Sequence, residues 1–192
     1  MKRPANKTLA AAYWGMCTEM HQQTVKIPDE VESTYEDGAL KLEKNGNSVS
    51  KRLEHAQVDV EPSNGEIVLS ADSDRQDIKS ISNAFRGHVL NMVEGLESEH
   101  EYRMKAVYAH FPMDVSVQGD EVVIDNFMGE RNPRTAQILD GVSVEIDGEE
   151  VVVRGPNKEK AGQTAANIEQ ACKKGDRDPR NFQDGVYITE SP

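Results

Sequence analysis

The chain has 192 residues, with 22 Lys+Arg against 34 Asp+Glu, which gives a formal net charge of -12. Its 36% hydrophobic and 29% charged residues predict a globular protein of one or two small domains. The longest apolar run, LAAAYWGM at 9–16, is far shorter than the roughly 20 residues of a membrane span. The two cysteines are too few for a disulfide framework, so we expect a cytoplasmic protein.

An internal duplication organises the chain. At an offset of 84 residues, 28–69 matches 112–153 without a gap, so that Pro28 falls on Pro112 and Ile67 falls on Val151. We therefore predict a first repeat at 24–105 and a second repeat at 106–192, after an N-terminal extension at 1–23.

The first repeat contains a predicted hairpin followed by a helix. VDVEPSNGEIVLS at 58–70 alternates apolar and polar residues around an Asn-Gly turn, the strongest local hairpin signal. Apolar residues from Ile78 to Met92 then recur at helical spacing, and Asp72 or Ser73 is expected to cap the helix. His88 lies on that apolar face, so we predict a packed core residue rather than a metal ligand.

The second repeat begins with an unusual loop. In VVIDNFMGERNPR, at 122–134, three β-branched residues predict a strand, and Gly129 and Pro133 then break it. Arg131 and Arg134 are expected to project from this loop. Because a planar guanidinium binds phosphate oxygens bidentately, the loop is a candidate phosphate site.

A second hairpin and helix follow. VSVEIDGEEVVVRG at 142–155 repeats the alternating pattern around Asp-Gly, and Asn157 is expected to cap the next helix. The predicted fold is α+β, a tandem duplication in which each copy is a small antiparallel sheet covered by one helix. The inner face of this second helix is predicted to comprise Ala161, Thr164, Ala165, Ile168, Ala171 and Cys172, and its outer face Lys158, Lys160, Gln163, Asn167 and Gln170.

Charge is distributed unevenly along the chain. Residues 154–180 hold seven basic and four acidic side chains, a net charge of +3 in an otherwise acidic protein. A polyanion would dock on such a segment, although a solvated helix face that carries lysines explains the same charge.

Four motifs resemble the archaeal and eukaryotic form of large-subunit ribosomal protein six. They are HFPMDVSV at 110–117, VVIDNFMGER at 122–131, GQTAANIEQ at 162–170 and RDPRNFQDGVYIT at 177–189. The resemblance covers about residues 24 to 192, and it implies two similar α+β domains joined end to end.

The resemblance also implies a structural constituent of the large ribosomal subunit that binds its ribosomal RNA. The expected contact lies near the sarcin–ricin loop and the region where translation factors dock, with neighbouring ribosomal proteins as further partners. Arg131 and Arg134 are expected to bind phosphate, the lysines to act as point charges, and the polar side chains to reach ribose hydroxyls or base edges. The expected RNA-binding residues are Arg131, Arg134, Lys158, Lys160, Gln163, Thr164, Asn167, Lys173, Lys174, Arg177, Arg180 and Tyr187.

The N-terminus and the acidity depart from that resemblance. Family members usually begin near the position of Val25, so Met20 is an alternative start and the preceding residues are either untranslated or a disordered arm. Scattered carboxylates keep a protein hydrated at high salt, which also shortens the Debye length to about 3 Å near 1 M. We therefore expect a halophilic archaeal source.

Other functions find less support in the sequence. The five histidines show no metal-binding spacing, no nucleophile has a partner base, and no cofactor motif is present. Aromatic residues amount to 5% without an RNP-type run, which argues against RRM-type base stacking. The remaining alternative is an acidic protein-interaction module with no direct RNA contact.

Overall fold

A computed structural model describes residues 21–63, 65–109, 111–175, 178 and 181–192. The expected alternative start at Met20 and the arm before it lie outside these residues.

The first repeat forms two three-stranded antiparallel sheets and one helix. The first sheet has the strand order β1-β6-β5 and the second the order β2-β3-β4. The elements are β1 His21–Lys26, β2 Glu32–Glu36, β3 Ala39–Lys44, β4 Asn47–Arg52, β5 Val58–Ser63, β6 Glu66–Ala71 and α1 Gln76–Glu97.

The second repeat has the same plan with one strand more. Its first sheet has the order β11-β12-β7-β13 and its second the order β10-β9-β8, again antiparallel. The elements are β7 His100–Val107, β8 Asp114–Gln118, β9 Glu121–Asp125, a 3-10 turn at Phe127–Gly129, β10 Arg134–Gln137, β11 Ser143–Asp147, β12 Glu150–Gly155, α2 Lys158–Ala171 and β13 Gly185–Glu190.

The predicted α+β duplication is confirmed, with a refinement. β6 at 66–71 falls on β12 at 150–155 at the offset of 84, and both sheets of the first repeat recur in the same order. Each copy contains two small sheets rather than the single sheet predicted. The expected boundary at 105/106 falls inside β7, whose partners β12 and β13 both come from the second repeat.

Two-residue turns explain the second sheet of the first repeat. Asp37-Gly38 joins β2 to β3 and Asn45-Gly46 joins β3 to β4, and all four residues have positive φ. This conformation matches the type I′ turn. Asn-Gly and Asp-Gly adopt that turn readily, because these residues adopt positive φ at low cost.

Each repeat has its own hydrophobic core. In the first, buried leucines of β3 and β6 pack against Val89 and Met92 of α1. In the second, Phe127 and Ile124 are fully buried beneath Ile168 of α2. The predicted inner face of α2 is confirmed, since Ala161, Thr164, Ala165 and Ile168 are all buried.

The two helix starts differ. Asn157 caps α2 as predicted, since its Oδ1 accepts hydrogen bonds from Glu159 N at 3.0 Å and Lys160 N at 3.2 Å. The predicted cap of α1 by Asp72 or Ser73 is wrong, because the helix begins at Gln76 after Arg75, with no side-chain cap hydrogen bond.

The start of α2 also contacts the first repeat. Glu159 accepts a charge-assisted hydrogen bond from Lys51 Nζ at 2.5 Å, and its other oxygen lies 3.3 Å from His88 Nδ1. The prediction that His88 is a core residue is wrong, since its side chain is 36% exposed at this junction.

Candidate nucleic-acid interface

The exposed side of α2 carries a polar stripe. Lys160, Gln163, Asn167 and Gln170 stand at i, i+3, i+7 and i+10, which places them on one helix face over a length of about 15 Å. Gln163 Nε2 donates to Asn167 Oδ1 at 2.9 Å, and Asn167 Nδ2 donates to the carbonyl of Gln137 at 3.2 Å. The stripe is therefore an ordered row of amides with one lysine at its start.

Two residues expected to bind RNA lie off this stripe. Thr164 is fully buried, and its hydroxyl accepts a hydrogen bond from Leu139 N at 3.2 Å. This hydrogen bond joins the segment after β10 to α2. Because Thr164 is buried, it does not make the expected ribose contact. Lys158 lies two residues before Lys160, about 160° away around the helix, so it does not share the stripe.

The loop between β9 and β10 is a rigid turn. Asn126, Met128 and Gly129 all have positive φ, between 51° and 77°. Asn126 Nδ2 donates to Pro112 O at 2.9 Å, and the side chain of Phe127 fills the core. Backbone in the left-handed region is costly for residues other than glycine, so these contacts hold the loop in one conformation.

Arg134 clamps this loop to the end of α2. Its Nε and Nη2 donate to the two carboxylate oxygens of Glu130 at 2.9 and 2.7 Å. Its Nη1 donates to the carbonyls of Ala171 and Lys173, each at 2.8 Å. The guanidinium carbon lies 4.2 Å from the centroid of the Phe127 ring.

This placement revises the expected role of Arg134. It begins β10 rather than projecting from the loop, and its side chain is 25% exposed. The hydrogen bonds to Glu130 raise the pKa of the guanidinium above its ordinary value. Arg134 also supplies positive charge at the last carbonyls of α2, whose final turn contains no basic residue of its own.

Arg131 is placed differently. It is exposed, and no hydrogen bond or ion pair joins it to any residue that the structure describes. Arg86, on α1, shares this state, whereas Arg52, Arg75 and Arg103 are all ion-paired. A guanidinium on a rigid loop without an internal partner keeps its donors available for a ligand.

The region after α2 brings further cations to the same end of the repeat. Lys174 Nζ lies 2.6 Å from Tyr187 Oη and 5.3 Å from that ring's centroid. A groove of about 590 Å³ opens here, lined by Lys173, Lys174 and Tyr187 together with Glu169, Gln170, Cys172 and Gly175. Arg177 and Arg180, also expected to bind RNA, lie outside the described residues.

Arg154, which belongs to the basic segment at 154–180, is paired with carboxylates of neighbouring strands. Its guanidinium donates to Glu101 at 2.7 Å and to Glu145 at 2.5 Å on the open face of the four-stranded sheet. Hydrogen bonds from Arg154 and then from Arg103 lower the pKa of Glu101. This face therefore offers paired charge rather than an anion site.

The fold thus brings six of the twelve expected residues onto one edge. Gln170 was not among them, although its spacing from Asn167 was readable in the sequence. We name the following set the polar edge: Lys160, Gln163, Asn167 and Gln170 of the stripe, with Arg131, Lys173 and Lys174 at the far end of α2.

Two further kinds of site are absent from the described residues. No described helix is long and apolar enough to cross a membrane. No group of three or more His, Cys, Asp or Glu side chains within the described ranges could hold a metal ion.

Comparison with known proteins places the chain among ribosomal proteins. The family model "Ribosomal protein L6" matches residues 111–185. A protein named large ribosomal subunit protein uL6 from Natronomonas pharaonis is 45% identical over 168 residues, which is 88% of this chain and 95% of the relative. The uL6 proteins of Haloarcula marismortui and Methanococcus vannielii are 43% and 42% identical, over 90% and 88% of this chain and 97% and 93% of their own lengths. These relatives are named as ribosomal proteins and not as enzymes.

Proposed function

Because the chain belongs to the uL6 family of large-subunit ribosomal proteins, we propose that its second repeat binds large-subunit ribosomal RNA along the polar edge. Arg131 and the two lysines after α2 meet phosphate oxygens. The amides of Gln163 and Gln170, which the fold leaves on the surface, reach ribose hydroxyls or base edges.

The observation that carries this proposal is the state of Arg131. In a chain of charge -12, it sits on a turn held by three positive-φ residues and by the Arg134 clamp, yet its own guanidinium has no partner among the described residues. A guanidinium on a fixed backbone turn, without a partner among the described residues, is suited to bind phosphate, because binding does not require an existing ion pair there to break.

The small number of cations favours recognition by shape. Counterion release weakens at high salt, so the four cations of the polar edge gain little from charge alone. The ordered amide row on α2 and the rigid loop supply fixed geometry in its place. RNA helices are recognised largely by shape and by 2′-hydroxyl contacts in their shallow minor groove, which suits such a surface.

The proposed position in the subunit follows the sequence resemblance. The bound RNA lies close to the sarcin–ricin loop, with translation factors nearby and other large-subunit proteins as neighbours. The acidic first repeat is the surface we assign to protein neighbours, since its arginines at 52 and 75 are paired with carboxylates.

We also infer an origin in a salt-loaded cytoplasm. The excess of carboxylates over cations supports it, and the relatives from Natronomonas and Haloarcula agree with it. The Methanococcus relative has almost the same identity, so similarity alone does not select this origin.

Filter binding of the full chain to purified large-subunit rRNA over a range of KCl concentrations tests the RNA contact. Arg131→Ala should weaken binding and reduce the slope of log K against log salt by about one. Arg86→Ala is the matched control, because it removes an exposed arginine of the first repeat that, like Arg131, has no partner among the described residues. Its binding should equal that of the wild type.

Equal binding by Arg131→Ala and the wild type would remove Arg131 from the interface. Co-sedimentation with large subunits, before and after RNase treatment, distinguishes RNA binding from the alternative of a protein-interaction module. Retention of the protein after RNase treatment would favour protein contacts over the RNA contact proposed here.

A further inference from the structure

We propose that the groove beside the end of α2 receives a single unpaired nucleotide of the bound RNA, with its base against the ring of Tyr187 and its phosphates at Lys173 and Lys174. This inference rests on the proposed RNA-binding function and deepens it. It names the chemistry of the ligand, a nucleotide whose base lies outside a duplex, and gives Tyr187 a specific contact.

The groove is large enough for one nucleotide. Its volume is about 590 Å³, which lies within the roughly 300–1,000 Å³ of sites that bind small organic ligands. The described residues that line it come from the last turn of α2, the segment after it and β13: Glu169, Gln170, Cys172, Lys173, Lys174, Gly175 and Tyr187. A ligand in this groove therefore meets an aromatic ring, an amide and two ammonium groups together.

The ring of Tyr187 is fixed at its hydroxyl end. The hydroxyl donates to the carbonyl of Gln183 at 3.1 Å and accepts a hydrogen bond from Lys174 Nζ at 2.6 Å. The same end of the ring lies against Gly185, where a β-carbon would come within 3.2 Å of Cζ. A ring held in this way loses little freedom when a base stacks on it, and such stacking tolerates any of the four bases.

Lys174 covers neither face of this ring. Its Nζ lies 5.3 Å from the ring centroid, which is nearly the sum of the Nζ–Oη distance and the distance from a phenol oxygen to the centre of its ring. The ammonium group therefore lies beyond the hydroxyl and close to the ring plane. Because an ammonium group has three N–H donors, the hydrogen bond to Tyr187 leaves others for a phosphate.

The charge of the groove suits an anion. Lys173 is exposed and Lys174 is half-buried, and the described lining sets the single carboxylate of Glu169 against them. This balance contrasts with the net charge of -12 of the whole chain. The wall is also held in place, because Arg134 Nη1 donates to the carbonyls of Ala171 and Lys173, each at 2.8 Å. A cationic groove that contains an aromatic ring is the arrangement by which proteins bind unpaired nucleotides.

One ring in a groove differs from the RRM surface that the low aromatic content argues against. An RRM stacks two or three bases on aromatic side chains of its sheet, whereas Tyr187 provides one ring beside the end of a helix. We therefore expect one unpaired base at this site and not a run of them.

Chemical probing of purified large-subunit rRNA tests the groove with the full wild-type chain. Dimethyl sulfate methylates adenine N1 and cytosine N3, and a carbodiimide modifies uracil N3 and guanine N1, only where these atoms are unpaired. Binding should protect at least one base that is reactive in the free rRNA, because a base inside the groove is shielded from the reagents. Protection of no reactive base, with binding shown by filter retention, would overturn the groove proposal.

Tyr187→Leu tests the ring itself. Leucine is apolar but presents no ring, so rRNA affinity should fall by between about 5-fold and 150-fold, and the protection of that base should be lost. The slope of log K against log salt should stay unchanged, because no cation is removed, in contrast with Lys173→Ala. Tyr187→Phe keeps the ring and should retain the protection.

Tyr35→Leu is the matched control, because Tyr35 also donates its hydroxyl to a carbonyl, that of Leu53 at 2.9 Å, but lies on β2 of the first repeat. It should bind rRNA as the wild type does. Circular-dichroism melts check that both leucine variants are folded at the assay temperature. If Tyr187→Leu does not fold, the probing of the wild type decides.

The outcomes separate the groove from the proposed function. A folded Tyr187→Leu that binds rRNA and protects the same base as the wild type would overturn the groove and leave the proposed function standing. No rRNA binding by the wild type would instead overturn the proposed function itself.

Discussion

Arg134 and Arg131 lie three residues apart and have different tasks. Arg134 uses its guanidinium within the protein, on Glu130 and on the carbonyls that end α2. Arg131 uses none of its donors on the described residues. A motif with two arginines therefore contains one that stabilises the loop and one that is a candidate phosphate-binding residue, and their contacts in the folded structure distinguish them.

Arg134→Ala should destabilise the protein by about 1–3 kcal/mol, because it leaves Glu130 without its bidentate partner and the last carbonyls of α2 without a donor. Urea unfolding followed by circular dichroism measures the change. Arg131→Ala is the matched control and should lie within about 0.5 kcal/mol of the wild type, since it is exposed and unpaired among the described residues. Equal stability of the two variants would contradict the clamp.

Glycines within α1 show how one atom decides packing. Gly95 lies where α1 meets the end of β12, and a β-carbon there would overlap the carbonyl oxygen of Pro156 and touch His100. Gly87, in the same helix, has nothing within 4 Å of the corresponding position. The two positions have the same residue type, but only the position of Gly87 has room for a β-carbon.

Gly95→Ala should destabilise the protein by about 1–3 kcal/mol, because the overlap forces α1 away from the second repeat. Gly87→Ala should instead stabilise it by about 0.5–1 kcal/mol, because alanine costs less backbone entropy than glycine in a helix. Thermal unfolding of both variants shows whether the two substitutions change the stability of the protein in opposite directions. A stabilising Gly95→Ala would show that the close approach of the repeats is not required.

At the level of elements, α2 is the centre of the second repeat. Its inner face of small residues allows close approach to the sheets, its start contacts the first repeat through Glu159, and its end meets the Arg134 clamp. The exposed stripe between these two ends is consequently fixed relative to both. A helix anchored at both ends can present a row of amides in constant register.

Asn157→Ala should destabilise the protein by about 1 kcal/mol, because two backbone N–H groups at the start of α2 lose their acceptor. Arg75→Ala is the control at the corresponding position of α1, where the side chain makes no cap hydrogen bond. Denaturant unfolding should show at most a few tenths of a kcal/mol for the control. A similar loss in both variants would show that the cap hydrogen bonds contribute nothing specific.

For the whole molecule, carboxylates dominate the surface potential. With 34 acidic and 22 basic side chains, self-repulsion favours the unfolded chain at low ionic strength. Ion pairs such as Lys51–Glu159 and Arg103–Glu101 offset part of this repulsion locally. Exposed pairs contribute little each, so screening by salt is the larger effect.

The melting temperature should therefore rise as KCl increases from low to molar concentration, when the Debye length falls to about 3 Å. Calorimetric or circular-dichroism melts across that range measure the trend. Sodium sulfate is excluded as the test salt, because it also strengthens hydrophobic burial. A melting temperature indifferent to KCl would contradict adaptation of this surface to high salt.

The sequence by itself determined the duplication, the α+β class and the inner face of α2. These depend on local periodicity and turn chemistry, which the amino-acid order states directly. It also contained the signals for β2, β3 and β4, because Asp37-Gly38 and Asn45-Gly46 mark two hairpin turns. The prediction of one sheet per repeat overlooked those two turns.

Only the tertiary structure decided how the candidate residues are used. Thr164 and Arg134 have the right chemistry for RNA, but one is buried and the other is committed to Glu130 and α2. Burial and partner choice depend on contacts between distant residues, and local sequence patterns do not specify those contacts.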